Sequence, residues 1–130
     1  MTLCAITPPS GKRRLGGISS KLYSERMKMR EKLLSLREAA GFVRDGSTLG
    51  LMGPPLENEP MSFLREMVRQ GTRDLRVVTL PGGGLGIDFL IGAGAVAEYE
   101  TSFCSLGEYG QAPHFQKGLR LHSFKLKDNT

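Results

Sequence analysis

The chemistry of this chain is concentrated in short glycine-rich stretches, the longest being Pro81-Gly82-Gly83-Gly84-Leu85-Gly86. Glycine lacks a Cβ, so consecutive glycines let main-chain N–H groups come close to a ligand. A helix starting just after them would place those groups at its positive end, where an anion or a developing oxyanion is favoured. A plain flexible connection is the competing reading of such a loop. A second candidate is Glu108, set between Gly107 and Tyr109. Partly enclosed by Leu106 and Tyr109, its carboxylate would have a raised pKa suited to nucleophile or general-base work. The plainer reading is a solvated loop glutamate. A third stretch, Gly53-Pro54-Pro55, could bring backbone close to a ligand while holding its shape.

These stretches have to be held by regular elements, and the pattern around them predicts which. Ser35-Leu36-Arg37-Glu38 matches a capping box, and Leu36, Ala39, Ala40 and Val43 keep helical spacing as far as the turn signal Asp45-Gly46. Ser47 to Met52 reads as a short buried strand. A second helix follows, with Asn58 as its cap, Pro60 in its first turn, an apolar stripe of Phe63, Leu64, Met67 and Val68, and Gly71 as its stop. Leu75 to Leu80 is a continuous apolar strand, the kind that parallel sheets cover on both faces. After the glycine loop come a short helix from Ile87 to Ile91 and a third strand from Val96 to Phe103. A loop from Ser105 to Pro113, a helical turn at His114 to Lys117 and a strand-like alternation from Leu119 to Leu126 complete the pattern.

Strand, helix, strand, helix, strand predicts an α/β fold, an open, mainly parallel sheet with flanking helices. In such a sheet ligands bind beyond the carboxyl ends of the strands. The stretches after Met52, after Leu80 and around Gly107 all fall there. Together they predict a small-molecule site lined by Gly53, Pro54, Gly82, Gly83, Gly84 and Gly107.

Several alternatives fail on context. Gly92-Ala93-Gly94-Ala95-Val96-Ala97 fits G-x-G-x-x-A, but it leaves a helix and enters a strand, the reverse of a dinucleotide fingerprint. The loop at Gly82 lacks the Gly-Lys-Ser/Thr of a triphosphate-binding loop. Cys4 and Cys104 are far apart and the histidines are His114 and His122 alone, a pattern that suggests no metal site and no disulfide framework. A reducing cytoplasm is the expected setting. His114 reads as a surface histidine, and Glu98 and Glu100 as a polar strand face.

The formal net charge of +5 is not spread evenly over the 130 residues. Eight basic residues against Glu25 and Glu31 put +6 between Met1 and Lys32, leaving −1 for the rest. The patterned part therefore offers no basic face for nucleic acid. No apolar run approaches the roughly 20 residues of a membrane span. Residues 1–26 read as a disordered basic tail or as an extension upstream of Met27, and residues 27–130 as the folded part.

Val43-Arg44-Asp45-Gly46-Ser47-Thr48-Leu49-Gly50-Leu51-Met52-Gly53-Pro54-Pro55, Arg69-Gln70-Gly71, Asp74-Leu75, the Gly82 loop and Asp88-Phe89-Leu90-Ile91-Gly92-Ala93-Gly94 together resemble family I CoA-transferases. The resemblance is to the amino-terminal half of the A subunit, glutaconate CoA-transferase-like, from about Leu36 to Phe115. One departure is Leu51-Met52-Gly53-Pro54 where the family carries Gly-Gly-Phe. The resemblance implies a fold shared with some sugar-phosphate isomerases and a chain that is apparently truncated. It also implies covalent catalysis, in which a glutamate passes through a mixed anhydride and a glutamyl-CoA thioester. Coenzyme A is then a substrate, and no permanently bound cofactor or metal is expected. In most members the glutamate belongs to a partner B subunit, so the implied assembly is a hetero-oligomer acting on an acyl-CoA and a carboxylic acid. Some relatives are acyl-CoA hydrolases, which makes Glu108 a candidate carboxylate of the A chain. A non-catalytic binding or interaction fragment is the alternative from another class.

Overall fold

The computed structural model describes residues 33–52 and 55–128; the tail at 1–26, Gly53 and Pro54 lie outside them. Helix α1 (Leu36–Ala40), strand β1 (Thr48–Met52), helix α2 (Met61–Arg69), strand β2 (Leu75–Leu80), helix α3 (Leu85–Gly92), strand β3 (Val96–Thr101), a 3₁₀ turn (Gly107–Tyr109), helix α4 (Pro113–Leu121) and strand β4 (Lys125–Asp128) follow in order. The four strands form one parallel sheet in the order β1-β2-β3-β4. The α/β fold with a parallel sheet and flanking helices is therefore as expected.

The expectation that β2 is covered on both faces is corrected: among the described residues only one face is covered. Neighbouring helices pack on one another, α1 on α2, α2 on α3 and α3 on α4, as a single layer on one side of the sheet. On that side lie Leu49, Leu51, Leu75, Val77, Thr79, Val96, Tyr99 and Thr101, all buried. The opposite face carries Thr48, Gly50, Met52, Arg76 and Leu80, all exposed. Sequential strand order explains this, because crossovers of one hand between successive neighbours return every helix to the same side. Glu98 and Glu100 belong to the uncovered face, where Glu98 pairs with Lys127 at 2.6 Å and Lys125 at 3.7 Å across β4.

Local chemistry accounts for the helix ends, with two corrections. The capping box at Ser35 forms as expected, but α1 stops at Ala40 rather than at Asp45-Gly46. The chain turns at Gly41, and Val43 alone of the downstream apolar positions is buried. Asn58 does not cap α2. It adopts a left-handed conformation two residues before the actual cap, Pro60, which makes no side-chain capping bond. Gly71, at φ +80°, ends that helix as expected, its neighbour Thr72 N–H closing on the Met67 carbonyl at 3.1 Å.

The carboxy-terminal part differs most. The turn expected at His114 to Lys117 is a full helix from Pro113 to Leu121, and the alternation from Leu119 to Leu126 is a helix end followed by β4. Proline fits a helix start, and Phe115 and Gly118 give the buried stripe. A Cβ on Gly118 would lie 2.5 Å from the Phe124 ring, so the glycine lets Phe124 fold back onto the helix. Tyr99, Phe115 and Phe124 then form one aromatic cluster, with centroids 5.8 to 6.3 Å apart.

Candidate functional site

The described residues of the three loops converge beyond the carboxyl ends of the strands, and hydrogen bonds lace them into one surface. From the first loop, the Pro55 carbonyl accepts the Leu85 N–H at 2.8 Å. The Glu59 carboxylate accepts the Gly86 N–H. The glycine loop is bonded in turn to the third: Gly83 N–H donates to the Phe103 carbonyl at 2.8 Å, and Ser105 N–H to the Gly83 carbonyl at 3.1 Å. Ser102 hydroxyl donates to the Pro81 carbonyl. A parallel bridge between Gly83 and Cys104 thus extends the sheet past its last regular residue.

Gly82, Gly83 and Gly84 are buried, and each admits another part of the protein. A Cβ on Gly82 would sit 2.5 Å from the Phe103 ring. One on Gly83 would collide with the Tyr99 hydroxyl, and one on Gly84 with the Pro55 carbonyl. The amides of Gly83, Leu85 and Gly86 are committed within the protein. What faces outward around the loop is Pro81, Leu85, Leu80 and Phe103, an apolar rim.

The third loop carries Glu108. The bridge Ser105–Gln111 closes a small hairpin whose tip is the 3₁₀ turn, with the Leu106 N–H on the Gly110 carbonyl at 2.7 Å. Gly107 and Gly110 take φ of +60° and +92°, conformations that glycine adopts freely. Glu108 is exposed at this tip and Tyr109 is 73% exposed, so the enclosure expected from Leu106 and Tyr109 is absent among the described residues. A cleft of about 340 Å³ opens at the base of the hairpin, lined by Ser102, Phe103, Gln111, Phe115, Gln116 and Leu126 among others.

In the strand-end loops the partly enclosed carboxylate is Glu59, and sequence reasoning missed it. Burial raises its pKa, and the Gly86 N–H opposes that rise. Its position beside Pro60 in a strand-end loop was the available signal; its partner lies 27 residues away. Beneath the loops, burial also pushes Tyr99 up and Cys104 up to about 12, which leaves both protonated and the thiol unreactive. Asp88, buried on α3, accepts the N–H of Phe115 in the first turn of α4 at 2.8 Å. His114 is exposed, its ring resting over Gly92. Among the described residues no cluster of His, Cys, Asp and Glu could hold a metal ion, and no helix is long and apolar enough to cross a membrane.

The fold that carries these loops is found in known proteins. A model of the Coenzyme A transferase family matches residues 33–117, all four helices but the last turns of α4 and three of the four strands. The chain belongs to the Coenzyme A transferase family. It is 39% identical over 77 residues to the cholesterol ring-cleaving hydrolase IpdA subunit of Rhodococcus jostii, covering 59% of this chain and 25% of that protein. The IpdA subunit of Mycobacterium tuberculosis is 37% identical over 78 residues, 60% of this chain and 26% of that one. Among solved structures, glutaconate coenzyme A-transferase from Acidaminococcus fermentans superposes with a TM-score of 0.69 at 26% identity, covering 77% of this chain and 32% of that chain. A variant of the decarboxylase AibA/AibB does so with a TM-score of 0.69 at 28% identity, covering 75% and 38%. The chain thus spans about a quarter of the length of the curated relatives it matches.

Proposed function

We propose that the chain is an A-type subunit, or part of one, of a cytoplasmic enzyme that moves CoA between an acyl-CoA and a carboxylic acid. The observation that carries this is the lacing of the three strand-end loops into one surface within the segment that matches the Coenzyme A transferase family. In this reading Gly53, Pro54, Gly82, Gly83, Gly84 and Gly107 shape one wall of the CoA-ester site, and a partner B subunit supplies the other. A glutamate of the partner attacks the thioester carbon and CoA thiolate leaves, giving a mixed anhydride. The thiolate then attacks the glutamyl carbonyl, expelling the first carboxylate and leaving glutamyl-CoA for the second acid. Coenzyme A enters only as substrate.

A second reading is hydrolysis, favoured by the names of the curated relatives given above, which are hydrolase subunits. There Glu108, exposed at the hairpin tip, is the carboxylate this chain contributes. Co-expression with a B-type subunit tests both. A complex that passes CoA from acyl-CoA to an added carboxylic acid supports transfer, and release of free CoA with no acceptor supports hydrolysis. A stable complex that leaves every tested acyl-CoA intact defeats the enzymatic reading. Glu108→Gln should abolish turnover if Glu108 acts in the chemistry, and an unchanged kcat removes it.

A further inference from the structure

Two threonines at the carboxyl ends of adjacent strands are buried where valine would fill the same space. Thr79 on β2 and Thr101 on β3 are 2% and 5% exposed. A buried hydroxyl is costly unless bonded, and these are bonded in a single directed chain. Thr101 Oγ1 donates to the Phe103 carbonyl at 2.7 Å, so its one proton is spent there. Thr79 Oγ1 donates to Thr101 Oγ1 at 2.9 Å. The Tyr99 hydroxyl, 2.9 Å from Thr79 Oγ1, is then the donor to Thr79. Thr101 Oγ1 also accepts the Phe103 N–H at 3.3 Å, so one hydroxyl holds residue 103 by both of its backbone groups.

The far end of the chain is the glycine loop. The Phe103 carbonyl that receives the Thr101 proton also receives the Gly83 N–H, and the Phe103 ring closes over Gly82. We propose that Thr101, oriented by Thr79 and Tyr99, is a positioning residue that fixes the Gly82–Gly84 loop through Phe103 and so sets the wall against which a CoA ester binds. The last clause rests on the functional reading above; the fixing of the loop does not. Because burial keeps Tyr99 protonated, the direction of the chain is the same across the neutral pH range.

The test compares Thr101→Val, which removes the hydroxyl at nearly constant shape, with Thr101→Ser, which keeps it. In the full chain, Thr101→Val should speed amide hydrogen exchange at Gly83 about tenfold. The Gly86 amide, held separately by Glu59, should stay unchanged, and Thr101→Ser should resemble wild type. Equal acceleration at Gly83 and Gly86, no acceleration, or failure of Thr101→Ser to rescue would overturn the proposal. Thr79→Val, which removes only the donor that orients Thr101, should give a smaller increase at Gly83 and decides the matter if Thr101→Val does not fold. In an active complex with a B-type subunit, Thr101→Val should raise KM for the acyl-CoA about tenfold while kcat stays within threefold. A lower folded fraction would reduce kcat and leave KM alone, so an unchanged KM also overturns it. If the wild-type complex turns over nothing, the exchange result still decides the positioning and only the functional reading falls.

Discussion

Glu59 shows how one side chain can join two loops and leave a measurable trace in stability. Its carboxyl is held above the ordinary carboxylate value by burial, with the Gly86 N–H opposing. The protonated form is thus favoured in the fold, so its contribution is fully present below the unfolded pKa and is lost as pH rises through the raised folded value. Glu59→Gln keeps an acceptor for Gly86 and removes the charge. It should match wild type below the carboxylate range and exceed it at neutral pH by less than about 1 kcal/mol, since the site is partly open to solvent. Urea midpoints of both proteins across pH 3 to 8 give the difference directly, in which the oppositely shifted Glu38, Glu66 and Glu98 cancel. A variant less stable than wild type at neutral pH would contradict the burial account.

At the scale of elements, the glycine loop and the helix caps decide how the site is held. Gly84→Ala would drive a Cβ into the Pro55 carbonyl, which belongs to backbone and cannot swing aside. A loss of about 3 kcal/mol is expected. Gly50→Ala on the uncovered face meets nothing within 4 Å and should be neutral or stabilising by up to about 1 kcal/mol. Similar losses for the two alanines in chemical denaturation would refute the packing argument. Asp88→Ala should cost about 2 kcal/mol by leaving the Phe115 N–H in the first turn of α4 without an acceptor inside the core, and Asp88→Asn, which keeps that acceptor, should recover much of it. The α2, β2, loop, α3 and β3 sequence was legible because glycines punctuate strongly apolar runs. Helix α4 was less so, since Leu119, Leu121 and Phe124 happen to alternate and mimic a strand; what settles the matter is Pro113 at the helix start and Phe124 folding onto Gly118.

Across the whole molecule, the helices occupy one side of the sheet and the other side is bare among the described residues. Met52 and Leu80, partners across β1 and β2, are 68% and 55% exposed there. Strand β4 is exposed along its whole length. An exposed apolar patch and an open strand edge each favour pairing with another chain. The isolated protein is expected to self-associate as its concentration rises, and Met52→Ser with Leu80→Ser to shift it toward monomer. Light scattering coupled to size exclusion measures both; a wild-type monomer at every concentration would show that the face is inert.

By itself the sequence determined the local alternation of strands and helices, the places where backbone turns, and the family, because propensity, periodicity and glycine spacing act over a few residues. It did not determine which face of β2 is covered, that Gly82 to Gly84 admit Phe103, Tyr99 and Pro55, or that in the strand-end loops Glu59 rather than Glu108 is the partly enclosed carboxylate. Those depend on contacts between residues 16 to 29 positions apart, as in Gly83 with Tyr99, Glu59 with Gly86 and Gly84 with Pro55. Burial and hydrogen-bond partnership are properties of the packed chain, so only the tertiary structure could assign them.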